Sequence, residues 1–355
     1  MRPPRPELVR RHRGVHRHQV RRRRAVAASA LVAIVLAALI AGNGTSHHAR
    51  TAAGHPGSSG TSGSAGDGTA NDRVVVVASG QLPAPVQDAA VAAITPDSAM
   101  LIGGLNQGES SVADIVKVSG SEAIRVGALP SALHDASASV IGGEVYLFGG
   151  GVITSFSQIT RISSTGETQP AGQLPTPASD LATTAIAGTV YIVGGYTGQS
   201  PLRTILAWRP GTPARVVGML PKPLRYAAVA EQAGQLLIAG GTSGMAASQN
   251  VYRFDPRTGQ VTTITQLPHP LTHAAAAALN GTVFVLGGRD ASTNSQTRQI
   301  LAISPTGAVN TAGTLPQPLS DLSAVTLGEH ILIAGGRDPA GHLHKAILTL
   351  SPQRG

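Results

Sequence analysis

The chain has 355 residues, no cysteine, 42% hydrophobic residues but only 3% aromatics, and a formal net charge of +9. The missing cysteine excludes disulfide staples, thiol nucleophiles and thiolate metal centres. The charge is no nucleic-acid signature either: residues 1–24 hold ten Arg and one Glu, and the rest of the chain is neutral overall.

That basic tail (1–24) abuts an apolar run, 25–42, of 18 uncharged residues. At a helical rise of about 1.5 Å per residue the run spans roughly 27 Å, enough to cross a hydrocarbon core. Arg21 to Arg24 at its N-terminal end predict a cytoplasmic tail and a C-terminal part outside the cytoplasm, hence a single-pass location at the cell membrane. A cleaved signal peptide with secretion is the alternative, against which stand the long basic region and the lack of a clear small-residue cleavage site. Residues 43–72 are Gly, Ser, Thr, Ala and His with almost nothing to bury, a composition that predicts a flexible linker.

From residue 73 to 355 two markers keep a common period. A diglycine recurs at Gly103, Gly149, Gly194, Gly240, Gly287 and Gly335, spaced by 45 to 48 residues. A Leu-Pro pair keeps step at Leu82, Leu129, Leu174, Leu220, Leu267 and Leu315. Two markers in one register predict six equal supersecondary units. The fifth reads as strand Ala274–Leu279, a tight turn at Asn280-Gly281, strand Thr282–Leu286, a polar loop, strand Gln299–Ser304, a Pro-Thr-Gly turn and strand Ala308–Gly313. Four short antiparallel strands per unit describe one propeller blade. The second strand of each unit is apolar throughout, which suits burial on both faces. The sixth unit lacks its fourth strand, and Val74–Ser79 precedes the first Leu-Pro as a fourth strand should. The N-terminal strand is therefore expected to complete the sixth blade and remove an open edge.

The diglycine period, together with Val251 to Gly259 (VYRFDPRTG), resembles kelch repeats over residues 73–352. The resemblance implies an all-β, six-bladed kelch-type β-propeller, here preceded by one transmembrane helix. The family's usual Tyr before Asp-Pro is replaced by Val118, Ile162, Trp208, Phe254, Ile303 and Leu350, and Val261 stands where the family carries a Trp. Copper radical oxidases of this class need a cysteine and are excluded.

Six residues after each marker leucine lies a polar column: Asp88, Asp135, Asp180, Tyr226, His273 and Asp321. Two readings stay open. The column is a ring at the channel mouth that binds a polyol, sugar or hydrated cation, or each side chain bonds the loop backbone of its own or a neighbouring blade, a frequent role of Asp in turns. Nearby, Arg289-Asp290 and Arg337-Asp338 repeat one motif and read either as local ion pairs or as ligand contacts. Tyr196 could stack on a ligand, and Arg225 could supply a cation. His342 and His344 read as an exposed loop, and Glu231 and Glu329 as turns on the far face. No Gly-x-Ser-x-Gly, phosphate loop or metal-helix motif occurs. The reading is a non-catalytic, extracytoplasmic binding propeller of a bacterial envelope, with an envelope protein or glycan as partner, no nucleic acid, no metal and no cofactor. The alternative is an exported carbohydrate-modifying enzyme resembling sialic-acid mutarotases, which would need a Glu/Arg pair in the channel.

Overall fold

The computed structural model describes residues 73–353. The basic tail, the apolar run and the Gly/Ser-rich segment lie outside the described residues, so the expected anchor, orientation and linker are not addressed by it.

The strands alternate along the chain as the repeat demands. The first unit comprises β2 (Ala90–Thr95), β3 (Ser98–Ile102), β4 (Val112–Ser119) and the first part of β5 (Glu122–Ile141). The second takes the last part of β5 with β6 (Glu144–Gly151), β7 (Gln158–Ile162) and β8 (Thr168–Gln173). The third is β9 (Ala182–Ile186), β10 (Thr189–Val193), β11 (Thr204–Trp208) and β12 (Arg215–Met219). The fourth is β13 (Ala228–Gln232), β14 (Gln235–Ala239), β15 (Ser248–Asp255) and β16 (Gln260–Leu271). The fifth is β17 (Ala275–Leu279), β18 (Thr282–Leu286), β19 (Gln299–Ile303) and β20 (Val309–Thr314). In the last, β21 (Ser323–Leu327), β22 (His330–Ala334) and β23 (Ala346–Pro352) are completed by β1 (Val74–Gln81), which pairs antiparallel with β23 from Val74↔Pro352 to Gln81↔Ala346. All pairings are antiparallel, in four-stranded sheets. One departure from four short strands occurs: β5 runs for 20 residues and joins the first two sheets into a seven-stranded one. Residues 130–133 stay extended there, and Leu133 pairs with Val112 before His134 pairs with Gly151.

Burial explains the composition. The apolar core is six clusters, each filled from two neighbouring sheets and following the chain until the last packs the sixth sheet on the first. A second strand lies between two such clusters, which is why Val145, Leu147 and Phe148 are buried on both faces. The six marker leucines are buried, and so are all six residues standing in the family's Tyr column. Three of the few aromatics share one cluster, where Trp208 meets Tyr146 and Phe148 edge-on at 4.9 and 5.3 Å.

The diglycines do a specific job. The second glycine of each pair donates its N–H to a carbonyl on the stretch that leads from its own sheet to the next, from Gly104 N to Leu133 O at 2.9 Å through to Gly336 N to Val86 O at 2.9 Å. Both glycines of every pair have positive φ. A Cβ on Gly149 would fall well inside van der Waals contact with the Ala178 carbonyl. Only glycine permits the left-handed turn and the close approach together.

Candidate functional site

At the loop end of the channel the six column residues form a closed ring through their backbones. Asp135 N donates to Asp88 O, Asp180 N to Asp135 O, Tyr226 N to Asp180 O, His273 N to Tyr226 O, Asp321 N to His273 O, and Asp88 N back to Asp321 O, at 2.8–3.3 Å. All six have left-handed φ between 53° and 59°. Left-handed backbone is uncommon for residues other than glycine, although Asp and His tolerate it better than most, and Tyr has no such excuse. Through their own N–H and C=O groups these residues link neighbouring units. Their side chains, however, do not bond their own loops alone. They converge on a cavity of about 190 Å³ lined by the whole ring and the first residues of the innermost strands. Below it the channel continues as a cavity of about 390 Å³ walled by Ala, Val, Ser and Thr, with Glu231. Glu231 thus lies on strand β13 and faces the channel, not merely a turn, and its Oε1 accepts from Gly234 N. Glu329 sits in the turn between β21 and β22.

The ring's chemistry is uneven around its circumference. Burial first, and then the facing carboxylates, push Asp88 and Asp135 well above the ordinary carboxyl range. Asp321 faces Asp88 and Asp180 faces Asp135, and burial raises both of these as well. Like charges so close cannot all ionise, so protons are held within the pairs. Asp180 is compensated by Arg225, whose Nη2 lies 2.5 Å from Asp180 Oδ2. The same Nη2 donates to Tyr226 Oη at 3.0 Å, and Tyr226 in turn donates to Asp135 Oδ2 at 3.1 Å. The Arg225 guanidinium is held over the Tyr196 and Tyr226 rings, 4.2 and 4.6 Å from their centroids. Burial, with the carboxylates beside it, raises the Tyr226 hydroxyl strongly, so it remains a donor.

Tyr226 stacks on His273 with centroids 3.7 Å apart. Burial, then Arg289 and Arg225, lower His273 to about 2. It is neutral at any ordinary pH, and its Nε2, 3.0 Å from Arg289 Nη2, is then the acceptor, with Nδ1 left to donate to Thr272 Oγ1 at 3.1 Å. Ser320 donates to Asp321 Oδ2 at 2.5 Å.

The two Arg-Asp motifs do not form ion pairs with themselves. Asp290 is turned into its own loop, accepting from Ser292 N at 2.7 Å and from the Ser295 hydroxyl. Asp338 accepts from His342 N at 2.9 Å and meets His342 and His344 at 3.3 and 3.2 Å. Among the described residues neither Arg289 nor Arg337 has a carboxylate within ion-pair distance. His344 departs from the expected exposed loop: it is half-buried between Asp338 and Gln317.

Sequence reasoning passed over one column almost entirely. The residues just before the ring are Gln87, His134, Ser179, Arg225, Thr272 and Ser320, all able to hydrogen-bond. In the structure they bridge to the loops that follow the second strands, as in Thr272↔Arg289 and Ser320↔Arg337. His134 lies 3.5 Å from Asp135 and bonds Ser111 Oγ at 2.9 Å. The signal was the same period, shifted by one. Among the described residues no group of three or more His, Cys, Asp or Glu has metal-holding geometry.

Comparison with known proteins places this site in a family context. A kelch motif is matched over residues 223–268, which hold β13 to β15 and most of β16. The solved structure of YjhT, a kelch propeller, superposes with a TM-score of 0.66 at 15% identity, over 76% of this chain and 96% of that one. No curated protein matches the sequence. At that identity the likeness speaks for architecture alone. The chain thus carries a kelch motif and shares its fold with a kelch β-propeller.

Proposed function

We propose that this chain is a non-catalytic, extracytoplasmic binding propeller of a bacterial envelope, held at the membrane by residues 25–42, which takes the polyhydroxylated end of a glycan at the channel mouth. The observation that carries the reading is the ring's geometry: four buried carboxyls line one cavity, with Arg225 Nη2 2.5 Å from Asp180 and the Tyr226 hydroxyl 3.1 Å from Asp135. Paired, proton-sharing carboxyls act as both donors and acceptors, and Arg225 offsets Asp180, so the mouth presents polarity without a large net charge. Such a surface suits neutral hydroxyls better than a bare cation. Tyr226 and His273 add ring edges to the same cavity, and Tyr196 holds Arg225 in place beside it. The arginine run before the apolar segment supports the orientation.

The test is a binding screen of the full-length protein against glycans and envelope proteins, repeated with Asp135→Asn and Tyr226→Phe. Glycan binding should fall at least tenfold in both variants while the melting temperature moves little. Glycan binding untouched by either change would sink the mouth as the site, and capture of an envelope protein instead would replace the glycan.

A second reading, a carbohydrate-modifying enzyme, draws on one observation: facing pairs of buried carboxyls line the same cavity as His273, so a group that gives a proton and one that takes it stand side by side there. Turnover of a sugar that vanishes in His273→Ala would favour it. The binding reading expects none.

A further inference from the structure

Beside the mouth lies a second hollow that the ring does not account for. It is a groove of about 190 Å³ between the last residues of β16 and the loop that follows β18, walled by Pro268, His269, Pro270, Leu271, Arg289 and Ser295 among others. Its capacity equals that of the mouth cavity. The two are joined by one side chain. Arg289 lines the groove and places Nη2 3.0 Å from His273 Nε2, and His273 is a wall of the mouth.

Arg289 is under-used where it stands. A guanidinium carries five N–H donors. Those of Arg289 meet one imidazole nitrogen and, at 3.4 Å, the Asp290 carbonyl, with no carboxylate in reach among the described residues. Asp290, on the same wall, is committed to Ser292 and Ser295. The remaining donors face a groove whose other walls are two flat prolines, an exposed imidazole and a leucine. Flat apolar faces flanking a planar multi-donor fork suit a pyranose ring, which offers C–H faces and an equatorial belt of oxygen acceptors.

We infer that the ligand is an oligosaccharide of at least two units, with its terminal unit in the channel mouth and the next in the Pro268–Arg289 groove, Arg289 spanning the linkage. This rests on the reading of the mouth as a glycan site, and deepens it: recognition is of a chain end, not of a free monosaccharide. A free sugar would leave the donors of Arg289 and the prolines to water.

The experiment is calorimetric titration of the full-length protein with a panel of monosaccharides and of disaccharides built from them. At least one disaccharide should bind ten or more times more tightly than its own terminal monosaccharide. His269→Ala should erase most of that ratio while leaving the monosaccharide affinity unchanged, and Arg289→Gln should weaken the disaccharide at an unaltered melting temperature. Equal affinities for mono- and disaccharide, or a ratio indifferent to His269→Ala, overturn the groove. Asp135→Asn separates the two ideas: it should weaken both ligands alike. Disaccharide binding that survives Asp135→Asn but not His269→Ala would keep the groove and remove the mouth. Failure of every sugar in the panel overturns both.

Discussion

Two rings of backbone hydrogen bonds tie the sheets together, and they are built from opposite materials. The outer one uses the diglycines, whose N–H groups hold the stretch that leads from their own sheet to the next, with positive φ and no side chain. The inner one, at the channel mouth, bonds each of these stretches to the one before it with the same sign of φ, yet its members are four Asp, a Tyr and a His. Glycine would serve the inner backbone at least as well. Steric need explains the outer ring fully. It does not explain the inner one, where a left-handed cost is accepted six times and buried carboxyls repel one another. Strain kept where glycine could remove it points to what the side chains do.

The comparison can be broken in several ways. The most severe is removal of residues 73–81, which deletes β1 and exposes the edge of β23. Both rings close at the same junction, through Gly336 N to Val86 O and Asp88 N to Asp321 O. The truncated protein should therefore aggregate or lose its cooperative melt, with both rings lost at once. A calorimetric transition like that of the intact chain would show that β1 is dispensable.

Next in size is Gly149→Ala. The added Cβ meets the Ala178 carbonyl, a backbone atom that cannot swing aside, and it stands at a left-handed φ. We expect a loss of about 3 kcal/mol or more in denaturant unfolding, combining left-handed strain with a clash. A loss below about 1 kcal/mol, the scale of left-handed strain alone, would mean that the sheets can part without penalty.

Asp88→Gly sharpens the contrast from the other side. It relieves the left-handed backbone and the repulsion from Asp321, against a greater chain entropy when unfolded. Stability should stay within about 1 kcal/mol of the parent. Glycan binding should fall. Severe destabilisation would instead make the Asp88 carboxyl a structural part.

The smallest effects lie in the pH profile, and their signs differ. The ring carboxyls are raised above the ordinary 3.8, so above about pH 4 the native state holds protons that the unfolded chain has released, and stability falls as pH rises through the native values. His273 runs the other way. It is lowered from 6.5 to about 2, so the unfolded chain takes up a proton first, and stability falls as pH drops from about 6.5. Melting temperature against pH should flatten on the alkaline side in Asp135→Asn and on the acid side in His273→Gln. Parallel curves for parent and variants would mean that the ring is open to water.

Much of this was legible beforehand because it is periodic. Thr282–Leu286 appears with the bounds read from its apolar run, and Gln299–Ile303 ends one residue short of the reading. Asn280-Gly281 takes the left-handed pair expected of its turn. The N-terminal strand pairs with β23 because an incomplete sixth unit leaves only that edge to fill. Less was legible at the site. The Arg-Asp repeats suggested ion pairs, but loop geometry turned both aspartates back onto their own segments. Arg225 was noticed for its charge, whereas its seat between Tyr196 and Tyr226 and against Asp180 joins residues far apart in the chain.

The sequence by itself determined the repeat, the strand order within it, the buried columns and the six positions of the ring, since each is a local pattern that recurs at a fixed spacing. Which carboxyls face each other, that His273 is neutral, and that Arg289 stands between two hollows were decided only by the tertiary structure. Those properties depend on burial and on distances between sheets, and closure of the ring brings together groups that no spacing along the chain relates.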